Sequence, residues 1–152
     1  MGILEARTHL ESLNLDIEIM EFDQSSATVD LAAQALGVDP DRIAKTMAFM
    51  LKDRPILIIT SGKARIDNRK FKDQFSQKAR MVPPDELVTI TGHPMGGVCP
   101  FGLVAPLDIY LDESLRQYDT VYPACGTVNS AVRIRVADLA QVTDGIWIHI
   151  TG

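Results

Sequence analysis

The sequence predicts an α+β fold in which a mixed, partly barrel-like β-sheet is flanked by helices. Three observations point there. Short β-prone apolar runs outnumber what a simple strand-helix-strand alternation would use, which argues against a purely parallel sheet. Short helical segments with recognisable caps separate some of those runs. With 152 residues and 46% hydrophobic content, the chain can bury one sizeable core, so one domain over residues 1–152 is expected.

The elements follow in order. Helical periodicity covers Ile3 to Leu13, and a strand is expected from Ile17 to Phe22. Thr28 can cap a helix that Gly37 ends, and Pro40 with Asp41 suits the first turn of a short helix. Strands are expected from Ala44 to Leu51 and from Ile56 to Thr60, joined around Asp53-Arg54-Pro55. Asp67 can cap a basic helix through Phe75, and Pro83-Pro84-Asp85-Glu86 opens a short helix stopped by Gly92. Strands then recur at Ile109 to Leu111, Thr120 to Tyr122, Ala131 to Arg135 and Ile146 to Ile150, with Asp138 in a short helix before the last.

Two segments carry chemistry. Thr91 to Gly102 (TGHPMGGVCPFG) holds four of the ten glycines and two of the eight prolines. Glycine lets a backbone approach a ligand or take positive φ, and proline stiffens the same stretch. Such a loop is either a tight turn between elements or a fixed array of amides suited to an oxygen that carries or gains negative charge. The second segment is GVDPDRIAKTMAFML, from Gly37 to Leu51. On an extended strand Lys45, Met47, Phe49 and Leu51 share one face, so a lysine heads an apolar row. Its ammonium either snorkels to the sheet edge or stands at the mouth of a pocket as a donor.

At this order and separation the two segments resemble the YbaK/prolyl-tRNA-synthetase-associated family of aminoacyl-tRNA deacylases. The resemblance runs from AAQALGVDPDRIAKTMAF through the SGK turn and basic helix. It continues through MVPPDELVTITGHPMGGVCPFG, DIYLDESL and ACGTVNSAVRIRVADL. The lysine of IAKT and the GxxxP loop, Gly96 to Pro100, are its specific pieces. The resemblance implies that Lys45 is essential, and that backbone at Gly96 and Gly97 holds the aminoacyl carbonyl of a mischarged tRNA near the scissile ester. It implies water as the attacking group, helped by a ribose hydroxyl, with no cofactor or metal. By position Met47, Phe49, Val98, Cys99 and Phe101 are expected in the pocket wall, with His93, Pro100, Gly126 and Thr127 also at the substrate. Family members place selectivity near Ala124 to Thr127, several with Ser or His there. Ala124 and Cys125 depart from that, leaving cysteine, alanine, proline, serine and threonine open.

The net charge of −5 excludes indiscriminate nucleic-acid binding, yet the charge is unevenly placed. Residues 42–80 hold 11 of the 15 Lys and Arg against three acids, a local +8 on a remainder of −13. Arg65, Arg69, Lys70 and Lys72 are expected to meet tRNA phosphates, the other reading being a solvated helix face. An aminoacyl-tRNA synthetase is the second expected partner.

Other chemistry finds less support. Ser61-Gly62-Lys63 lacks the upstream glycine and following hydroxyl of a phosphate-binding P-loop, since Ala64 stands next. His93, Cys99 and Cys125 have no zinc-site spacing, and no serine nucleophile elbow occurs. No apolar stretch is long enough to span a membrane. MGILEARTHLESL is charged and amphipathic, with Ala6 where a myristoylation signal needs Ser or Thr, so the cytoplasm is expected.

Overall fold

The computed structural model describes residues 2–152. Helix α1 (Ile3–Glu11) precedes strand β1 (Glu18–Glu21). Helix α2 (Val29–Leu36) starts where the Thr28 hydroxyl accepts the Leu31 N–H and stops at Gly37 in the left-handed conformation. Asp39 caps a single 3-10 turn (Pro40–Arg42) that delivers the chain directly into β2 (Ile43–Met50). Strand β3 (Pro55–Ser61) returns antiparallel, pairing Lys45 with Thr60 and Met47 with Ile58. Helix α3 (Asn68–Phe75) is capped by the Asp67 carboxylate, which accepts the Arg69 and Lys70 N–H groups. A 3-10 turn at Pro84–Glu86 runs into α4 (Leu87–Thr91), closed by Gly92. The glycine loop then leads to β4 (Asp108–Asp112), β5 (Thr120–Pro123), β6 (Ser130–Arg135), α5 (Val136–Thr143) and β7 (Ile146–Ile148).

One seven-stranded mixed sheet results, in the order β1-β6-β5-β2-β3-β4-β7. Strands β2/β5, β3/β4 and β4/β7 are parallel, whereas β1/β6, β5/β6 and β2/β3 are antiparallel. The ladder ends at β1 and β7, so the barrel-like sheet is not closed.

Period two sorts the core to two sides. Ala44, Ala48, Leu57, Ile59, Ile109 and Leu111 pack with α1, Leu87 and the glycine loop. Phe49, Leu51, Ile56, Ile58 and Tyr110 pack against α3 through Phe71. All four residues Ile56–Ile59 are buried completely, as a strand covered on both faces requires. Each contributes about 1.5–3 kcal/mol of apolar burial.

The same sorting leaves a gap beside β2. Its outer edge pairs with β5 only at Ile43 and Ala44. Further along, Met50 donates to the Arg80 carbonyl at 2.8 Å and the Val82 N–H donates to Ala48 at 3.0 Å. Outward-facing main-chain groups alternate along a strand, so Thr46, midway between Ala44 and Ala48, turns its N–H and C=O into an uncovered stretch.

Candidate functional site

A cavity of about 230 Å³ opens at this gap. Its floor is β2 from Ile43 to Ala48; its walls come from Ser26–Val29 at the start of α2, from Met81–Leu87, from the glycine loop and from β5 and β6. The wall is largely apolar, with several alanines, and carries no carboxylate. Lys45 and Gly96, distant in sequence, both line it.

Lys45 sits at the junction of this cavity with a second cleft lined by Gly62, Lys63, Ala64, Arg65 and Ile66. Its ammonium donates to the Ala64 carbonyl at 3.0 Å, which uses one of three protons and leaves two for a ligand. Burial, and then the neighbouring Arg65 charge, hold its pKa below the ordinary lysine value. Two cations side by side with no acid lining either space create a field that favours an anionic group.

The glycine loop divides its work between chemistry and packing. Gly97 donates its N–H to Pro94 at 2.9 Å and accepts from Gly126 at 3.0 Å, so its amide is committed. A Cβ on Gly97 would lie 2.6 Å from the Thr127 nitrogen. The Gly97 N–H, expected as an oxyanion donor, is thus bonded within the loop, and this glycine lets two backbones touch. Gly96 takes φ +87° at the cavity wall, and the N–H groups of Gly96 and Val98 have no partner among the described residues. Together with the Met95 N–H, likewise without a partner, they are the loop amides at the cavity lining that remain free among the described residues. Gly126, at φ +91°, packs in turn against Gly2. Gly97→Ala should consequently lose stability, by about 1–3 kcal/mol of overpacking, together with any activity. Thermal unfolding beside a rate assay checks this, and a fully stable, inactive variant would return Gly97 to the chemistry.

The expected wall residues separate. Met47 and Val98 line the cavity. Phe49 lies on the Lys45 face but farther along, where Phe71 covers it at a ring separation of 5.2 Å. Cys99, Pro100 and Phe101 are buried beneath the loop and stand outside the lining. Gly126 and Thr127 are also outside it, while Tyr122, Ala124, Ser130 and Ala131 supply that wall. The Thr127 hydroxyl instead bonds Asn129 and Ser130.

His93 is fully buried and touches the Phe101 carbonyl through Nε2 at 2.6 Å. A carbonyl only accepts, so Nε2 carries the proton and Nδ1, which has no partner, is bare. Burial holds the ring's pKa below the ordinary value, keeping it neutral. Cys99 lies 3.6 Å from that same Nε2, which already holds a proton and cannot take another. Burial pushes the Cys99 thiol far up and the Cys125 thiol up to about 11. Neither cysteine is poised as a thiolate. No cluster of three His, Cys, Asp or Glu side chains suited to a metal occurs among the described residues.

On the basic segment, Arg65, Arg69 and Lys72 are exposed and form no ion pair among the described residues. Lys70 differs in being partly engaged: its ammonium donates to the Thr151 carbonyl at 2.8 Å, tying α3 to the C-terminal segment. Arg54 is engaged by Asp108 at 2.7 Å and Asp53 at 2.9 Å, and Arg42 lies over the rings of Tyr118 and Tyr122. Lys63 and Arg65 line the second cleft together with Lys45. No helix among the described residues is long and apolar enough to cross a membrane.

Residues 23–142 match the aminoacyl-tRNA editing domain. A Bacillus subtilis protein, YwhH, of uncharacterised function, is 43% identical over 152 residues, covering 99% of this chain and 97% of that protein. A proline--tRNA ligase of Shouchella clausii is 34% identical over 100 residues, 65% of this chain but 17% of the ligase. Among solved structures, a candidate trans-editing enzyme for prolyl tRNA synthetase superposes with a TM-score of 0.91 at 30% identity, covering 99% of this chain and 97% of that one.

Proposed function

Because the chain belongs to the aminoacyl-tRNA editing domain family, we propose that it hydrolyses the ester of mischarged aminoacyl-tRNA in trans, without a cofactor. One observation carries the reading: Lys45 and the unpaired amides of Gly96 and Val98 border one cavity whose lining holds no carboxylate, histidine or thiol to act as base or nucleophile. An activated ester requires little more than charge stabilisation. Water attacks the ester carbonyl, whose oxygen gains negative charge opposite the amides; the bond to the ribose oxygen breaks, releasing free amino acid and a tRNA hydroxyl. One such donor is typically worth about 2.7–4 kcal/mol. A ribose hydroxyl of the substrate relays the proton. Lys45 holds the ester region or the adjoining phosphate as a protonated donor, and Lys63 and Arg65 extend that charge along the incoming strand.

Such an activity complements a synthetase, whose pocket separates amino acids differing by one methylene by only about 1–3 kcal/mol. A synthetase, the prolyl enzyme first, is the partner expected to supply the substrate in the cytoplasm. The test is a panel of aminoacyl-tRNAs, cognate and noncognate, incubated with wild-type protein and Cys99→Ala. Selective release of one noncognate amino acid, unaffected by Cys99→Ala, is expected. Binding to tRNA or synthetase with no release from any member would instead make the chain a non-catalytic recruiting module of the same fold.

Salt gives a second check. Activity at subsaturating substrate should fall as salt rises, because phosphate contacts release counterions. Lys63→Glu with Arg65→Glu should raise the apparent Michaelis constant more than Arg69→Glu with Lys72→Glu, while both pairs leave the saturated rate nearly intact. Equal, negligible effects would reduce the basic segment to a solvated face.

A further inference from the structure

Met81 and Met95 are large apolar side chains left 58% and 64% exposed, and both line the cavity. They come from different segments, one following the Arg80 bridge to β2 and one preceding Gly96. Val128, 44% exposed, adjoins the same rim, since its Cγ1 would lie 3.2 Å from a Cβ on Gly96. Other exposed apolar residues, such as Leu4, Val88 and Ile146, lie outside this cavity. Apolar groups gathered at the mouth of a pocket mark a contact surface.

Resting on the editing reading, we propose that Met81 and Met95 seat the nucleobase of the nucleotide that carries the ester. The occupant follows from size and charge. The aminoacyl group, the smaller part, enters the space of about 230 Å³ first, and the nucleoside behind it lies towards the mouth, where Met81 and Met95 are exposed. The mouth has two unlike sides. On one side Lys45 joins the cavity to the cleft lined by Lys63 and Arg65, a cationic path that suits the phosphate. The base, planar and uncharged, is left to the thioether side, where flexible, polarisable methionines pack well on π-faces. Contact of this kind is sequence-tolerant, as an end common to many tRNAs allows.

The experiment uses an aminoacylated microhelix RNA, charged with whichever amino acid the panel identifies and made with either a normal or an abasic 3′-terminal nucleotide. With the normal end, Met81→Ser/Met95→Ser should lower kcat/KM about tenfold with kcat close to wild type. Met81→Leu/Met95→Leu should restore most of it. With the abasic end, wild type should itself lose about tenfold and the serine variant should lose nothing further. Equal loss by the serine variant on both substrates, no loss on either, or failure of leucine to rescue overturns the proposal while leaving editing intact. If wild type hydrolyses no panel member at all, the editing reading falls and this proposal falls with it.

Discussion

Lys45→Ala is expected to unfold at the wild-type temperature and to lose deacylation by about 10²-fold or more in single turnover, the scale of removing one charge-stabilising donor. The side chain makes one hydrogen bond, to the Ala64 carbonyl, and is half-buried. Its desolvated charge beside Arg65 is a burden on the fold that the substitution removes, so stability should hold or rise slightly. Lys45→Arg should also be impaired, because a planar guanidinium does not replace a compact ammonium in a confined mouth. Circular dichroism with rates on the released amino acid would decide it. A folded Lys45→Ala protein working at the wild-type rate sinks the assignment.

Asp112→Ala is expected to be the most destabilising single change away from the cavity. The Asp112 carboxylate is fully buried and accepts from the Ile150 N–H at 2.9 Å, the Ser114 N–H at 2.9 Å and the Thr151 hydroxyl at 2.7 Å. It fixes the C-terminal segment to the end of β4. Truncation leaves three donors without an acceptor, two of them buried and one half-buried, and about 3–5 kcal/mol should be lost, measured by urea unfolding. Burial alone would raise this carboxyl's pKa, but the hydrogen bonds from Ser114, Ile150 and Thr151 outweigh it and hold the value below the ordinary carboxylate range. The unfolded chain thus binds the proton more readily than the native one. The contribution is present above about pH 4 and disappears as pH falls further through the depressed value. Wild type should therefore lose stability in that acid window more steeply than Asp112→Asn, and identical acid curves would contradict the role given to Asp112.

Local chemistry made most elements legible. Thr28 and Asp67 each cap the helix they precede, and Gly37 and Gly92 close theirs, because capping is decided within four residues. Strand ends moved by a residue or two: Ile43 is already extended, and β7 stops at Ile148 since Ile150 N–H is taken by Asp112. The candidate site was less legible, because a cavity is assembled from segments that no local pattern connects. Thr28 caps α2 and, with its neighbours, also walls the cavity. Cys99 and Phe101 alternate correctly for a wall, but the loop turns them inward beneath Val98. Gly97 is indistinguishable from Gly96 in composition, and both are closely packed, against residues 126–127 and against Ala27; only the bond of the Gly97 N–H to Pro94 separates them.

The uncovered stretch of β2 bears on how the protein behaves among its own copies. An open strand edge invites another strand, and proteins commonly guard such edges with charge, proline or coverage. Here β5 and the segment at Arg80–Val82 bracket the opening so closely that only the main-chain groups of Thr46 remain outward, with Lys45 standing beside them. A foreign strand gains cooperatively only from several successive bonds, and one residue offers too few. The fold thereby keeps raw peptide groups available to a small molecule while denying them to aggregation.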